Sequence, residues 1–217
     1  MEIKYIILFL FFASALLDFI YIVKDVPKSR FFSKTLLMPI LLIFYLLSTN
    51  TPIIFLIFSL IFSFFGDLFL LWEKKKTFFI LGLFSFLIAH IFFFITFLTT
   101  SNYFKGIPLF IYLFLIPYII YGLYLFNYLK PEINKIQSAI LIYILVIILM
   151  SFSTIPRFYY VSFNEFLFPF IGSILFIISD SLLALKNFKK KINERNILIM
   201  LTYVFAQFFI ISGFIKL

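Results

Sequence analysis

Residues 66–76 read GDLFLLWEKKK. The stretch buries one carboxylate, Asp67, inside a long apolar run, and Lys74, Lys75 and Lys76 follow where such a run leaves a membrane. Residues 179–191, SDSLLALKNFKKK, repeat the arrangement around Asp180. In both, an aspartate precedes a lysine cluster by about two helical turns.

Working outward, the same texture runs the length of the chain. Of 217 residues, 65% are hydrophobic and only 12% charged, with a mean hydropathy of +1.18. A soluble domain of this size needs far more polar surface to cover its core. Apolar runs bounded by Lys, Arg, Pro or Asn predict an all-α, polytopic membrane protein. Its eight spans lie near 5–23, 31–49, 53–72, 77–99, 107–129, 136–155, 164–186 and 195–215. The second is the weakest, with Lys34 near its start and Pro39 inside it, and is expected to be short or kinked with the lysine snorkelling to the interface. The N-terminal run resembles a signal peptide around Ala13–Ala15, but it continues to Val23 behind Glu2 and Lys4 and is read as a retained span.

The absence of cysteine excludes disulfides and thiolate chemistry, and a lone histidine, His90, excludes a multi-histidine zinc site within one chain. No metal or cofactor is expected. The 37 phenylalanines supply apolar area to lipid rather than an aromatic cofactor site. The net charge of +9 reads as topology information and headgroup contact rather than nucleic-acid binding. The loops after spans 1, 3, 5 and 7 hold fourteen of the 18 basic residues, leaving Lys4, Lys105, Arg157 and Lys216 on the other face. That bias predicts a cell-membrane protein with both termini outside the cytoplasm.

The two quoted stretches form an internal repeat. Spans 4 and 8 follow with IAHIFFFI (88–95) and FAQFFIIS (205–212), which align Ala89-His90 with Ala206-Gln207. The chain thus reads as one membrane domain, 1–217, with repeat halves 1–105 and 106–217 related by a pseudo-twofold along the membrane normal. Such a repeat predicts Asp67 and Asp180 at matching depth on facing helices. Gly82, Phe86 and His90 share one helical stripe, as do Gly172, Phe176 and Asp180, and both stripes are expected to face the bundle interior.

Polar groups within spans are costly and therefore informative. Asp18, Asp67, Asp180, His90 and Gln207 all favour the cytoplasmic hemisphere, which predicts a cavity opening toward that leaflet. Each also has a structural alternative. Asp18 would pair with Lys24 or Lys34, His90 would donate a ring N–H across a helix contact, and Gln207 would join helices. Asp67 and Asp180 would pair with snorkelling lysines.

In order, GDLFLL (66–71), GLFSFLIAH (82–90), GSILFIISDSLLA (172–184) and YVFAQ (203–207) resemble the YhhN family of integral membrane proteins, whose characterised members are lysoplasmalogenases. The resemblance spans nearly the whole chain and is sharpest at 63–90 and 172–207. Lys34 matches the lysine that starts the family's second span. Thr35 stands where the family often has proline, and Phe93 where a tyrosine is common, which removes a hydroxyl.

The resemblance implies hydrolysis of the vinyl-ether bond of lysoplasmalogens, giving a fatty aldehyde and glycerophosphocholine or glycerophosphoethanolamine. The substrate is then a lysophospholipid within the bilayer, and no nucleic acid is involved. Protonation of the alkene creates an oxocarbenium ion, so the reaction needs an acid and a base. Two carboxyls in a low-dielectric pocket divide that labour, one kept protonated by burial and repulsion while the other stays ionised. Asp67 and Asp180 are the expected catalytic pair. Lys34, His90, Gln207, Ser179, Tyr203 and Asp18 are the expected supporting or substrate-binding residues, with Lys34 and the basic rim at the phosphate. The main alternative is a proton-coupled transporter of a lipid-like or small amphipathic solute. A third reading is a lipid-binding or scaffolding protein without turnover.

Overall fold

A computed structural model describes residues 3–100, 106–133, 136–189 and 195–215, with no strand among them. Eight α-helices run in chain order: α1 (Ile3–Val23), α2 (Pro27–Ser48), α3 (Ile54–Leu70), α4 (Lys76–Thr99), α5 (Leu115–Leu129), α6 (Gln137–Phe152), α7 (Phe163–Lys189) and α8 (Arg195–Ser212). Short 3-10 segments at Leu109–Phe114 and Ile155–Tyr159 precede α5 and follow α6. Each helix falls on one expected span.

Six segments are long and apolar enough to cross a membrane, whereas Ile54–Leu70 and Asn196–Ser212 are apolar but shorter. The chain is an all-helical, multi-pass membrane protein. At 17 residues, α3 is about 26 Å long against about 30 Å of hydrocarbon. It ends before the expected residue 72 because Leu71, Trp72 and Glu73 donate to carbonyls three residues back, tightening the chain into turns ahead of the lysines. By contrast, α2 is longer than expected. Pro27 opens it at the position where a missing N–H costs nothing, and Pro39 does not end it.

Contacts divide the chain into two compact units, Met1–Thr96 with Ile215–Leu217, and Phe97–Phe214. In the first, α1 and α2 pack as a hairpin and α3 packs on α2. The α1–α2 turn contains Asp25 at φ 51°, in the left-handed region that aspartate tolerates better than most residues. Outward-facing phenylalanines such as Phe9, Phe32 and Phe84 are exposed, as a lipid-facing surface requires.

In the second unit, α7 packs closely on α8, and α5 and α6 pack on each other and on α7. A Cβ at Gly172 would lie 2.7 Å from the Ala206 carbonyl oxygen and 2.9 Å from the Ile210 nitrogen, so only glycine allows α7 and α8 this approach. Pro169 lies inside α7 and has no N–H to give the carbonyl of Glu165 one turn earlier. Arg157 Nη2 donates to that carbonyl at 3.1 Å. The same guanidinium donates through Nη1 to Thr100 Oγ1 and lies 4.7 Å from the Phe214 ring centre. Arg157, read from sequence as a surface topology charge, is 2% exposed. Lys105, Lys135, Lys190, Lys191 and Lys216, which also entered the orientation argument, lie outside the described residues.

Candidate active site

In the first unit the polar side chains of α1, α2 and α3 form two adjoining contacts. Asp18 is fully buried on α1. Arg30 donates from Nε to Oδ1 at 3.2 Å and from Nη2 to Oδ2 at 3.4 Å, and Ser33 Oγ donates to Oδ1 at 3.0 Å. Ser14 Oγ in turn donates to the Ser33 carbonyl at 2.8 Å. The expected partners, Lys24 and Lys34, are therefore corrected to Arg30 and Ser33. The reason is geometric: a planar guanidinium matches both carboxylate oxygens, while Lys24 sits on the exposed turn.

Ser33 and Arg30 fix how the first turns of α2 face α1, and Lys34 is the next residue along. Its Nζ lies 3.5 Å from Asp67 Oδ1, with side-chain exposures of 9% and 2%. Lys34 thus does not snorkel to the interface as expected, because α3 offers a buried carboxylate closer than water.

Asp67 follows Gly66, and a Cβ at Gly66 would stand 2.6 Å from the Phe86 ring. The glycine lets α4 come close beside the aspartate. One turn beyond Phe86, His90 is buried, with Nδ1 2.6 Å from the Phe86 carbonyl oxygen. A carbonyl only accepts, so Nδ1 carries a hydrogen and donates it to Phe86. The Nδ1 contact stays within α4 rather than crossing to another helix. Gly82 and Phe86 share its buried stripe.

In the second unit Tyr143 on α6 donates its phenol to Asp180 Oδ2 at 2.5 Å. Asp180 itself is partly exposed, whereas Gly172 and Phe176 on its stripe are buried. Ser179 Oγ donates to the Ile199 carbonyl at 3.0 Å, tying α7 to α8 beside the aspartate. Tyr203 packs edge-on to Phe176 at 5.6 Å, and Gln207, one turn further on α8, is fully buried.

The YhhN family profile matches residues 29–214. The chain belongs to the YhhN family. The matched region contains Lys34, Asp67, His90, Asp180, Tyr203 and Gln207 but not Asp18. No curated protein and no solved structure matches this YhhN protein.

Three participants escaped the sequence reading. Tyr143 is one of 13 tyrosines and carries no charge to mark it. In sequence Arg30 reads as a loop charge, and Ser33 carries nothing to mark it beside Lys34. An i, i+3, i+4 spacing of Arg30, Ser33 and Lys34 on one helix face was the available signal.

Proposed function

We propose that this YhhN protein is a membrane-embedded lysoplasmalogenase, hydrolysing the vinyl-ether bond of lysoplasmalogens by general acid–base catalysis through Asp67 and Asp180. The carrying observation is a carboxylate buried against an ammonium, Asp67 with Lys34, on apolar helices of a YhhN-family chain. Ionisable groups in such surroundings are costly and mark functional sites. Eight spans in two repeated halves is the architecture proposed with it. The charge bias supports both termini outside the cytoplasm and the reacting carboxyls toward the cytoplasmic leaflet.

In the proposed reaction a carboxylic acid transfers its proton to the β-carbon of the alkenyl chain. The carbon–carbon π pair forms the new C–H bond, leaving an oxocarbenium ion. A carboxylate takes a proton from water as the water oxygen bonds to the α-carbon. The hemiacetal then collapses, the glycerol oxygen leaving with a proton, to aldehyde and alcohol. An ammonium beside Asp67 suits the carboxylate that accepts the proton and offsets the cation. Asp180 is the other member of the pair, its Oδ2 accepting from the Tyr143 phenol. His90 and Gln207 support the water.

The test is aldehyde release from a defined lysoplasmalogen by detergent-purified protein, beside Asp67→Asn and Asp180→Asn of verified fold. Release by wild type and its loss in both variants is the expected result. Activity surviving either substitution removes that residue from the chemistry. A chain that releases nothing across pH and both head groups, yet moves protons in sealed vesicles, is the transporter that buried carboxylates also allow.

A further inference from the structure

Asp18 has no part in the proposed reaction. Yet among the described residues it is one of two buried acidic side chains, the other being Asp67. A fully buried carboxylate on a lipid-spanning helix is costly, so what it holds indicates what it is for. Three hydrogen bonds reach it from one turn of α2, two from Arg30 and one from Ser33. Ser14, one turn earlier on α1, holds the same turn through the Ser33 carbonyl. Helix α1 therefore grips α2 at residues 30 and 33.

That grip decides where residue 34 points. Helix α2 packs against both α1 and α3. Successive residues of a helix diverge by about 100°, so with Ser33 turned to α1, Lys34 is turned to α3. There its Nζ lies 3.5 Å from Asp67 Oδ1. A side-chain tip stands about 6 Å from the helix axis, so rotating α2 by about 20° displaces it by about 2 Å. Such a shift undoes the contact, since an ion pair reaches to about 4 Å.

Charge works in the same direction. Arg30 and Lys34 are i, i+4 neighbours on α2 and repel each other. Asp18 neutralises Arg30 and so removes a push on the ammonium next to it. Lys34 has somewhere else to go, because its four-carbon stem can carry the charge to the membrane surface. Arg30, one turn nearer that surface, is already 23% exposed.

We infer that Asp18 is a positioning residue for the Lys34–Asp67 pair. Through Arg30 and Ser33 it sets the turn of α2 about its axis, and so holds Lys34 on Asp67 and away from the surface. It hydrogen-bonds to neither member of the pair. This rests on the hydrolase reading for what the pair does, but where Lys34 sits can be measured without turnover.

The probe is reductive methylation of the purified full-length protein with formaldehyde and a borane, stopped early and mapped by mass spectrometry. Lys24 and Lys28, exposed where α1 meets α2, are the internal reference. Lys34 should react about tenfold more slowly than either, as a buried, ion-paired amine does. Asp18→Asn loses the charged acceptor, and should raise the rate at Lys34 about tenfold while leaving Lys24 and Lys28 unchanged. Ser33→Ala removes one donor and no charge, should raise the rate about threefold, and carries the test should Asp18→Asn not fold.

Phe11→Ala opens a cavity on the same buried face of α1, and should lower the melting point without exposing Lys34. In turnover, Asp18→Asn should lower kcat about tenfold with KM within about twofold. On a Lys34→Met background it should cost nothing further, because no ammonium remains to be placed. A Lys34 rate unmoved by both polar substitutions overturns the inference. So does an equal rise in Phe11→Ala, which reduces Asp18 to packing. A Lys34 rate that follows Asp18 in a protein releasing no aldehyde upholds the positioning and removes the hydrolase reading. Aldehyde release with Lys34 indifferent to Asp18 does the reverse.

Discussion

The Lys34 ammonium stands 3.5 Å from the Asp67 carboxylate, and neither side chain is more than a tenth exposed. Removing one charge strands the other in a medium that solvates it poorly. Lys34→Met is therefore expected to cost about 3–5 kcal/mol, whereas Lys34→Met with Asp67→Leu recovers most of the loss. A double-mutant cycle of unfolding in detergent measures the coupling. Additive effects would show that the pair contributes nothing to stability.

Tyr143→Phe deletes the phenol that donates to Asp180 while keeping the ring. A hydrogen bond to a charged group is worth about 1.5–3 kcal/mol, so kcat should fall about 10- to 100-fold with KM little changed. Steady-state kinetics on folded variant decides it. An unchanged kcat would make the contact structural only.

Gly172→Ala and Gly122→Ala separate rigid from yielding contacts. A Cβ at Gly172 meets backbone of α8, whereas at Gly122 it meets the terminal Cδ1 of Ile148 at 2.5 Å, which can rotate aside. The first should destabilise by about 1–3 kcal/mol and the second by less, read as thermal midpoints in one detergent. Equal shifts would contradict the α7–α8 approach.

Arg157→Lys keeps the charge but loses the fork that reaches Thr100 and the Glu165 carbonyl together. A loss of about 1.5–3 kcal/mol is expected from the weaker hydrogen bonding to a charged donor. A melting point within error of wild type would show the guanidinium geometry to be dispensable.

The helices were legible in sequence because the physics that makes them is one-dimensional: about 20 apolar residues, then cations. Their ends were less so, since α3 stops where carbonyls bond three residues back and α2 starts at a proline. The candidate carboxyls stood out because charge is rare in these runs, and the glycine–phenylalanine stripes followed from helical spacing. Partner choice did not follow. Whether Asp18 meets Lys24 or Arg30 depends on how α1 and α2 turn about their axes, which composition does not encode. Tyr143 meets Asp180 from a helix distant in sequence, and nothing in its own apolar segment marks it.

Pro169 has a consequence for how this sequence can change. Its missing N–H leaves the Glu165 carbonyl to Arg157, and a Cβ at Gly213 would stand 2.3 Å from its ring. The three positions are physically coupled through these contacts. A lineage that replaces the proline restores the helix's own hydrogen bond and lifts the constraint on both arginine and glycine. Among relatives, proline, arginine and glycine at these positions should be gained and lost together.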